Sequence, residues 1–239
     1  EWARQDESLE PESMPIYGLS SISLQINGHS RALSEEHIMG YLETDTTCVR
    51  VTEQENLPLH LKQKETLDPI LEWFSKEFGP METSVGFMVP EVSTETRDIV
   101  RGVVSELTDW EIAALERATR TCKSLVLGLS LLRRHVTAEE ALNASRLEED
   151  HQIENWGLLE NGHDFDINFA RLRVFSTSSF LWMIDPKLNE LAFPLKHSKA
   201  WNMELVNDGS NMRTEPVPPI REDKIDELFI DDSTGFVRR

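Results

Sequence analysis

The chain has 239 residues, 39% of them hydrophobic, enough for a buried core in one larger domain or in one domain with an appendage. Its 24 Lys+Arg against 43 Asp+Glu leave a net charge of −19, which argues against a general binder of nucleic-acid phosphates, because that role needs a clustered basic face. Cys48 and Cys122 stand in no metal or redox spacing, and the longest apolar run, Ser124 to Leu132, is about half a membrane span, so a soluble protein of a reducing compartment is expected.

The opening EWARQDESLEP lacks the zones of a secretory signal and the Arg/Ser-rich character of a transit peptide, so any address is expected to lie outside this sequence. Residues 1–33 read as an entry segment, with a short helix around Trp2 to Leu9, a stop at Pro11, and MPIYGLSSISLQING packing on the body. Ser34, with Glu35 and Glu36 in the first turn, predicts a helix to about Glu43, and CVRV is a short β-prone stretch. A helix is predicted from Asp68, with Pro69 in its first turn, to the Gly79-Pro80 break, turning Ile70, Leu71, Phe74 and Phe78 inward. Gly86 to Pro90 reads as a loop, and Ser93 opens a helix to about Leu107.

Thr108 with Glu111 forms a capping-box pattern for a helix through Leu132, the expected hydrophobic heart. Thr137 with Glu140 repeats the pattern and starts a helix that Gly157 ends, and a last helix is predicted over Ile167 to Ile184. The fold class expected is mainly α: a compact orthogonal helical bundle over residues 1–184, without βαβ alternation or repeats, followed by an acidic, Pro-containing extended tail over 185–239. That tail carries eight Lys/Arg against eleven Asp/Glu, and EPVPPI, yet Leu191, Phe193, Trp201 and Phe229 predict that part of it docks on the body or on a partner.

The stretch SRLEEDHQIENWG, Ser145 to Gly157, holds six ionisable side chains and a tryptophan. On one continuous helical wheel, Glu149 and Gln152 share a side with Ala138, Ala141, Leu142, Ile153 and Trp156, which predicts a carboxylate and an amide set into the core-facing surface. A buried carboxylate needs compensation, and Arg146 stands three residues earlier. Glu148, about 100° round the helix, is expected to be more exposed.

Enzyme chemistry is weakly signalled. HDFD, with His163, Asp164 and Asp166, and His151 one helix earlier, resembles the ligand doublets of helical metal-dependent hydrolases, but no other histidine stands at a supporting spacing, and bonding of His163 and Asp164 to backbone at a helix junction is the plainer reading. There is no Gly-rich phosphate loop. Cys122, among Leu125, Val126 and Leu129, reads as a small core residue, and Trp73, Phe74, Phe78 and Trp110 read as core rather than as a binding groove. No catalytic residue, cofactor or metal is therefore expected.

Several motifs line up in order with one family. EWARQ followed by LEPESMP, LETDTTCVRV, LDPILEWFSKEFG, and the long CKSLVLGLSLLRRHVTAEEALNASRLEEDHQIENWG with HD beyond it resemble the ATP-twelve chaperones, mitochondrial assembly factors of the F1-ATPase. The resemblance covers Glu1 to about Ile184 and is most specific from Arg146 to Gly157. It implies the helical C-terminal part of a chaperone whose β-rich N-terminal domain precedes EW, acting in the mitochondrial matrix. It further implies binding of the unassembled α subunit of ATP synthase F1 until β joins, with Arg146, Glu148, Glu149, Gln152, Trp156, His163 and Asp164 as the partner-binding set and no membrane insertion. Two alternatives stand beside it: a permanent structural subunit of a respiratory complex, and a metal-dependent hydrolase. Departures from the family pattern are Leu67 for Trp, Val49 for Tyr, and Glu160-Asn161-Gly162 before His163-Asp164.

Overall fold

The structure, a computed structural model, describes residues 1, 5, 13–86, 91–157 and 163–185, with the backbone alone at 163–165. Among these the chain is almost wholly helical. The helices are α1 (Pro15–Gln25), α2 (Gly28–Glu43), α3 (Glu53–Phe78), α4 (Thr94–Glu106), α5 (Asp109–Cys122), α6 (Leu125–Leu132), α7 (Ala138–Ser145), α8 (Leu147–Trp156) and α9 (His163–Ile184). Two-residue strands β1 (Val49–Arg50) and β2 (Ser84–Val85) pair in parallel, Val49 opposite Ser84 and Arg50 opposite Val85.

The centre is α6. Its residues Leu125 to Leu131 are all buried, the condition of a helix that is apolar all round. The predicted single helix from Thr108 to Leu132 is two helices, because Lys123 turns into the left-handed region at φ 55° and the Ser124 hydroxyl caps a new start by accepting the Leu127 N–H at 2.9 Å. At Gly128 the two helices nearly touch: a Cβ there would stand 2.5 Å from Thr119 Oγ1 and 3.1 Å from Leu115 Cδ1. Around this pair pack α1, α2, α3, α7 and α9, with Leu19, Ile38, Leu42, Phe74, Val174 and Phe180 buried against it.

Several starts lie earlier than predicted. α2 begins at Gly28, not Ser34, because Asn27 and Ser30 exchange side-chain and backbone hydrogen bonds in a capping box with no acidic residue. α9 begins at His163. α3 begins at Glu53, and Pro69 lies inside it: the buried stripe Leu59, Gln63, Leu67, Ile70, Leu71, Phe74 and Phe78 outweighs the lost hydrogen bond. Near its start α3 is kinked at Asn56 (φ −158°, ψ 87°), whose Oδ1 accepts the Leu59 N–H at 3.1 Å and so restarts the helix before Pro58. The predicted inward set of Ile70, Leu71, Phe74 and Phe78 is buried. Trp73 and Trp110 are partly buried against the core, Trp73 stacked on His135 with ring centroids 4.6 Å apart. The expected helix at Trp2 to Leu9, most of the expected loop to Pro90 and the tail after Asp185 lie outside the described residues.

Candidate partner-binding surface

The helix expected from Thr137 to Gly157 is broken at Arg146 (φ −111°, ψ 6°), and the break changes which side of its second half meets the body. Glu149, Gln152 and Trp156 do share a face, spaced i, i+3, i+7 as the wheel predicted, but that face points outward. Glu149 is half-buried with its side chain 46% exposed, Gln152 is exposed, and Trp156 is 79% exposed, so none of the three belongs to the core. Ile153 is only half-buried, so of the apolar residues expected on the core-facing side Ala141 and Leu142 are buried while Ile153 and Trp156 are not. One residue out of helical register is enough to rotate every later side chain by about 100°.

The buried ion is Arg146, 10% exposed. Its Nη1 pairs with Glu149 Oε2 at 2.6 Å and its Nη2 with Asp150 Oδ1 at 3.4 Å, while Nε is buried without a partner. Glu149 Oε1 also meets Lys123 Nζ at 3.5 Å. The expected i−3 pair is therefore present with its roles exchanged: two half-exposed carboxylates compensate a buried guanidinium.

Glu148, His151 and Asn155, again at i, i+3, i+7, turn toward α3. Gln63 Nε2 donates to Glu148 Oε1 at 2.7 Å, while Gln63 Oε1 accepts the Val51 N–H at 2.9 Å. His151 is buried, and its Nε2 lies 3.1 Å from Asn56 Nδ2 and 3.0 Å from Asn155 Nδ2. Lys62 pairs with Glu154 beside them, and this holds the Glu154 carboxyl below its ordinary range. Glu148 is exposed, as expected, and more so than Glu149, with one carboxylate oxygen bonded to α3. The α3 half of this junction, Asn56, Lys62 and Gln63, escaped the sequence reading. An Asn two residues before Pro58 was the available sign, as a helix cap.

A second polar centre also escaped it. Asp45, fully buried, accepts the Thr47 N–H at 3.0 Å and the Thr47 hydroxyl at 2.7 Å on Oδ1, and the Val126 N–H at 2.9 Å on Oδ2, with the Ser124 hydroxyl as a further donor. Burial, opposed by these donors, leaves its carboxyl above the usual carboxylate range. The Asp-Thr-Thr run, in which a short acidic side chain bonds the backbone two residues on, was its signal. Cys48 and Cys122 are free and buried, and burial pushes both thiols up to about 12, which makes them poor nucleophiles.

Of the hydrolase residues, His151 has its Nε2 taken up by two amides, Asp166 lies exposed on α9, and the side chains of His163 and Asp164 lie outside the described residues. Among the described residues no three His, Cys, Asp or Glu side chains converge for a metal, and no helix is long and apolar enough to cross a membrane.

Residues 1–75 match the model of a family described as ATP12 chaperone protein. Over 187 residues the chain is 29% identical to the mitochondrial protein atp12 of Schizosaccharomyces pombe, a match that takes in 74% of this chain and 64% of that protein. The chain is thus similar to the ATP12 chaperone family in its first third and to its members along most of its length. It is also 26% identical over 180 residues to the mitochondrial protein ATP12 of Saccharomyces cerevisiae, covering 64% of this chain and 54% of that one. The chain thus spans less than two thirds of either relative's length. The crystal structure of Atp12 from Paracoccus denitrificans superposes with a TM-score of 0.70 at 22% identity, over 77% of this chain and 78% of that one. A putative chaperone from Agrobacterium tumefaciens does so with a TM-score of 0.64 at 22% identity, over 73% and 65%. These two likenesses establish the helical fold.

Proposed function

We propose that this chain belongs to the ATP12 chaperone family and is the helical part of an assembly chaperone for the mitochondrial ATP synthase. It catalyses no reaction, acts in the mitochondrial matrix, and holds the unassembled F1 α subunit so that the surface later buried by β is shielded. The names of the two yeast proteins support the mitochondrial setting, and the ATP12 family description supports the chaperone role. The observation that carries the reading here is Trp156, 79% exposed at the end of a helix whose opposite face is fastened to α3. An aromatic ring held out on an anchored helix is the kind of anchor that interfaces concentrate their energy on. Gln152 and Glu149 extend that face, adding an amide and a carboxylate that suit an Arg-bearing partner surface. His163 and Asp164, at the start of α9, complete the proposed set.

The test is capture of recombinant α subunit by the full chain and by Trp156→Ala and Gln152→Lys variants, each checked for an unchanged melting temperature. Loss of capture by both folded variants is expected. Full capture by folded Trp156→Ala would remove this face from the partner surface.

A further inference from the structure

We infer that the cleft between α5, α6 and α9 is a docking site for an acidic amphipathic helix of a partner protein. The site stands apart from the α8 face. It is a recess of about 840 Å3 lined by the apolar side chains of Trp110, Leu132, Leu181 and exposed Met183, with Arg133 and Arg134 also on its wall.

The charge at this cleft runs against that of the chain. In a protein with 43 Asp+Glu, residues 124–136 and 167–184, which supply α6 and most of α9, contain neither Asp nor Glu. The two carboxylates on the cleft wall are already engaged. Glu111 accepts from the backbone N–H and the hydroxyl of Thr108, both at 2.8 Å, and Asp185 pairs with Arg134 at 2.6 Å. Exposed Arg133 has no ion pair among the described residues, so it is the uncompensated charge.

Arg134 itself stands at φ 58°, a conformation that glycine adopts more cheaply. There its guanidinium lies 4.0 Å over the Trp182 ring. From that ring an exposed stripe continues along α9 through Ser179, Phe175 and Leu172, at helical spacing over ten residues, or roughly 15 Å. Recess, cations and stripe together match the apolar side chains, carboxylates and length of about three helical turns.

A bilayer fits less well. A chain of net charge −19 is repelled by anionic headgroups.

The probe is a fluorescein-labelled peptide of about twelve residues, Leu at i, i+3, i+4, i+7 and i+8 and Glu elsewhere, about 18 Å long as a helix. A control peptide carries Lys in place of Glu. Anisotropy titrations use the full 239-residue chain and its Arg133→Glu, Met183→Glu and Arg101→Glu variants, each first shown to melt as the parent does. The acidic peptide is expected to bind, roughly tenfold or more weakly to Arg133→Glu and Met183→Glu, and unchanged to Arg101→Glu, an exposed arginine on α4. The Lys peptide is expected not to bind. Equal binding of both peptides, or equal affinity across the three variants, overturns the inference. So does binding to phosphatidylcholine-phosphatidylglycerol vesicles without binding to the acidic peptide, which would make the cleft a lipid site.

Discussion

Asp45 holds Val126 across 81 positions of sequence: its Oδ2 accepts the Val126 N–H at 2.9 Å, in the first turn of the most deeply buried helix. The Asp45 carboxyl group lies where the positive end of the α6 dipole emerges, and it satisfies an amide that no intrahelical carbonyl can reach. Replacing Asp45 with Asn puts an NH2 group against one of the N–H donors. The loss is expected to be about 1–3 kcal/mol, the cost of an unsatisfied buried group, read from urea denaturation.

The same residue makes a prediction in pH. Because burial raises the folded-state pKa above the ordinary 3.8, the folded chain keeps a proton that the unfolded chain has released. Stability from Asp45 is therefore fully present below pH 3.8 and is lost as pH rises through the raised value. The melting-temperature gap between the parent and Asp45→Asn should accordingly narrow as pH rises above 3.8 and through the raised value. A gap that widens instead would mean that the four donors outweigh burial.

Gly128→Ala should destabilise the chain by about 1–3 kcal/mol, since the added methyl meets Thr119 Oγ1 and Leu115 Cδ1 within a packed core. Thr119→Ser with Gly128→Ala, which removes a methyl but not the hydroxyl, should restore little of the loss. Thermal melts of the three proteins decide it.

Leu129→Ala should cost about 2–5 kcal/mol, as expected for a leucine with no exposed surface. A loss within about 0.5 kcal/mol, the size of a surface change, would mean that α6 is not central.

Glu148→Lys should lower stability rather than act on partner binding alone. The lysine would face the amide group of Gln63, which is buried and has its carbonyl already committed to Val51. A loss of about 1–3 kcal/mol is expected, and any fall in α-subunit capture should track the folded fraction. Capture lost at full stability would return Glu148 to the recognition face.

Caps were the most legible part of the fold. Ser93, Thr108 and Thr137 open helices where the sequence placed them, because a side-chain oxygen bonding an N–H three residues on is a local event. Gly157 ends α8 at φ 80° for the same kind of reason. Breaks without such a mark were not legible. Lys123 adopts a left-handed turn with no glycine to announce it, and Arg146, whose guanidinium is buried, interrupts the helix with no glycine or proline beside it. At the candidate site the spacing of Glu149, Gln152 and Trp156 was readable, and the direction of their face was not. That direction depends on the break at Arg146 and on polar partners from α3, about 85 to 95 residues away in sequence.

α8 buries one side chain, His151, and is otherwise fastened by hydrogen bonds and ion pairs at its borders. With so little apolar area to expose, it can lift from α3 in an opening far smaller than global unfolding. Its amides should exchange with deuterated solvent well before those of α5 and α6, and sooner still in high salt, which screens the Lys62 and Lys123 pairs. The tryptophan is thus mounted on a foldon that can come away while the leucine core stays shut.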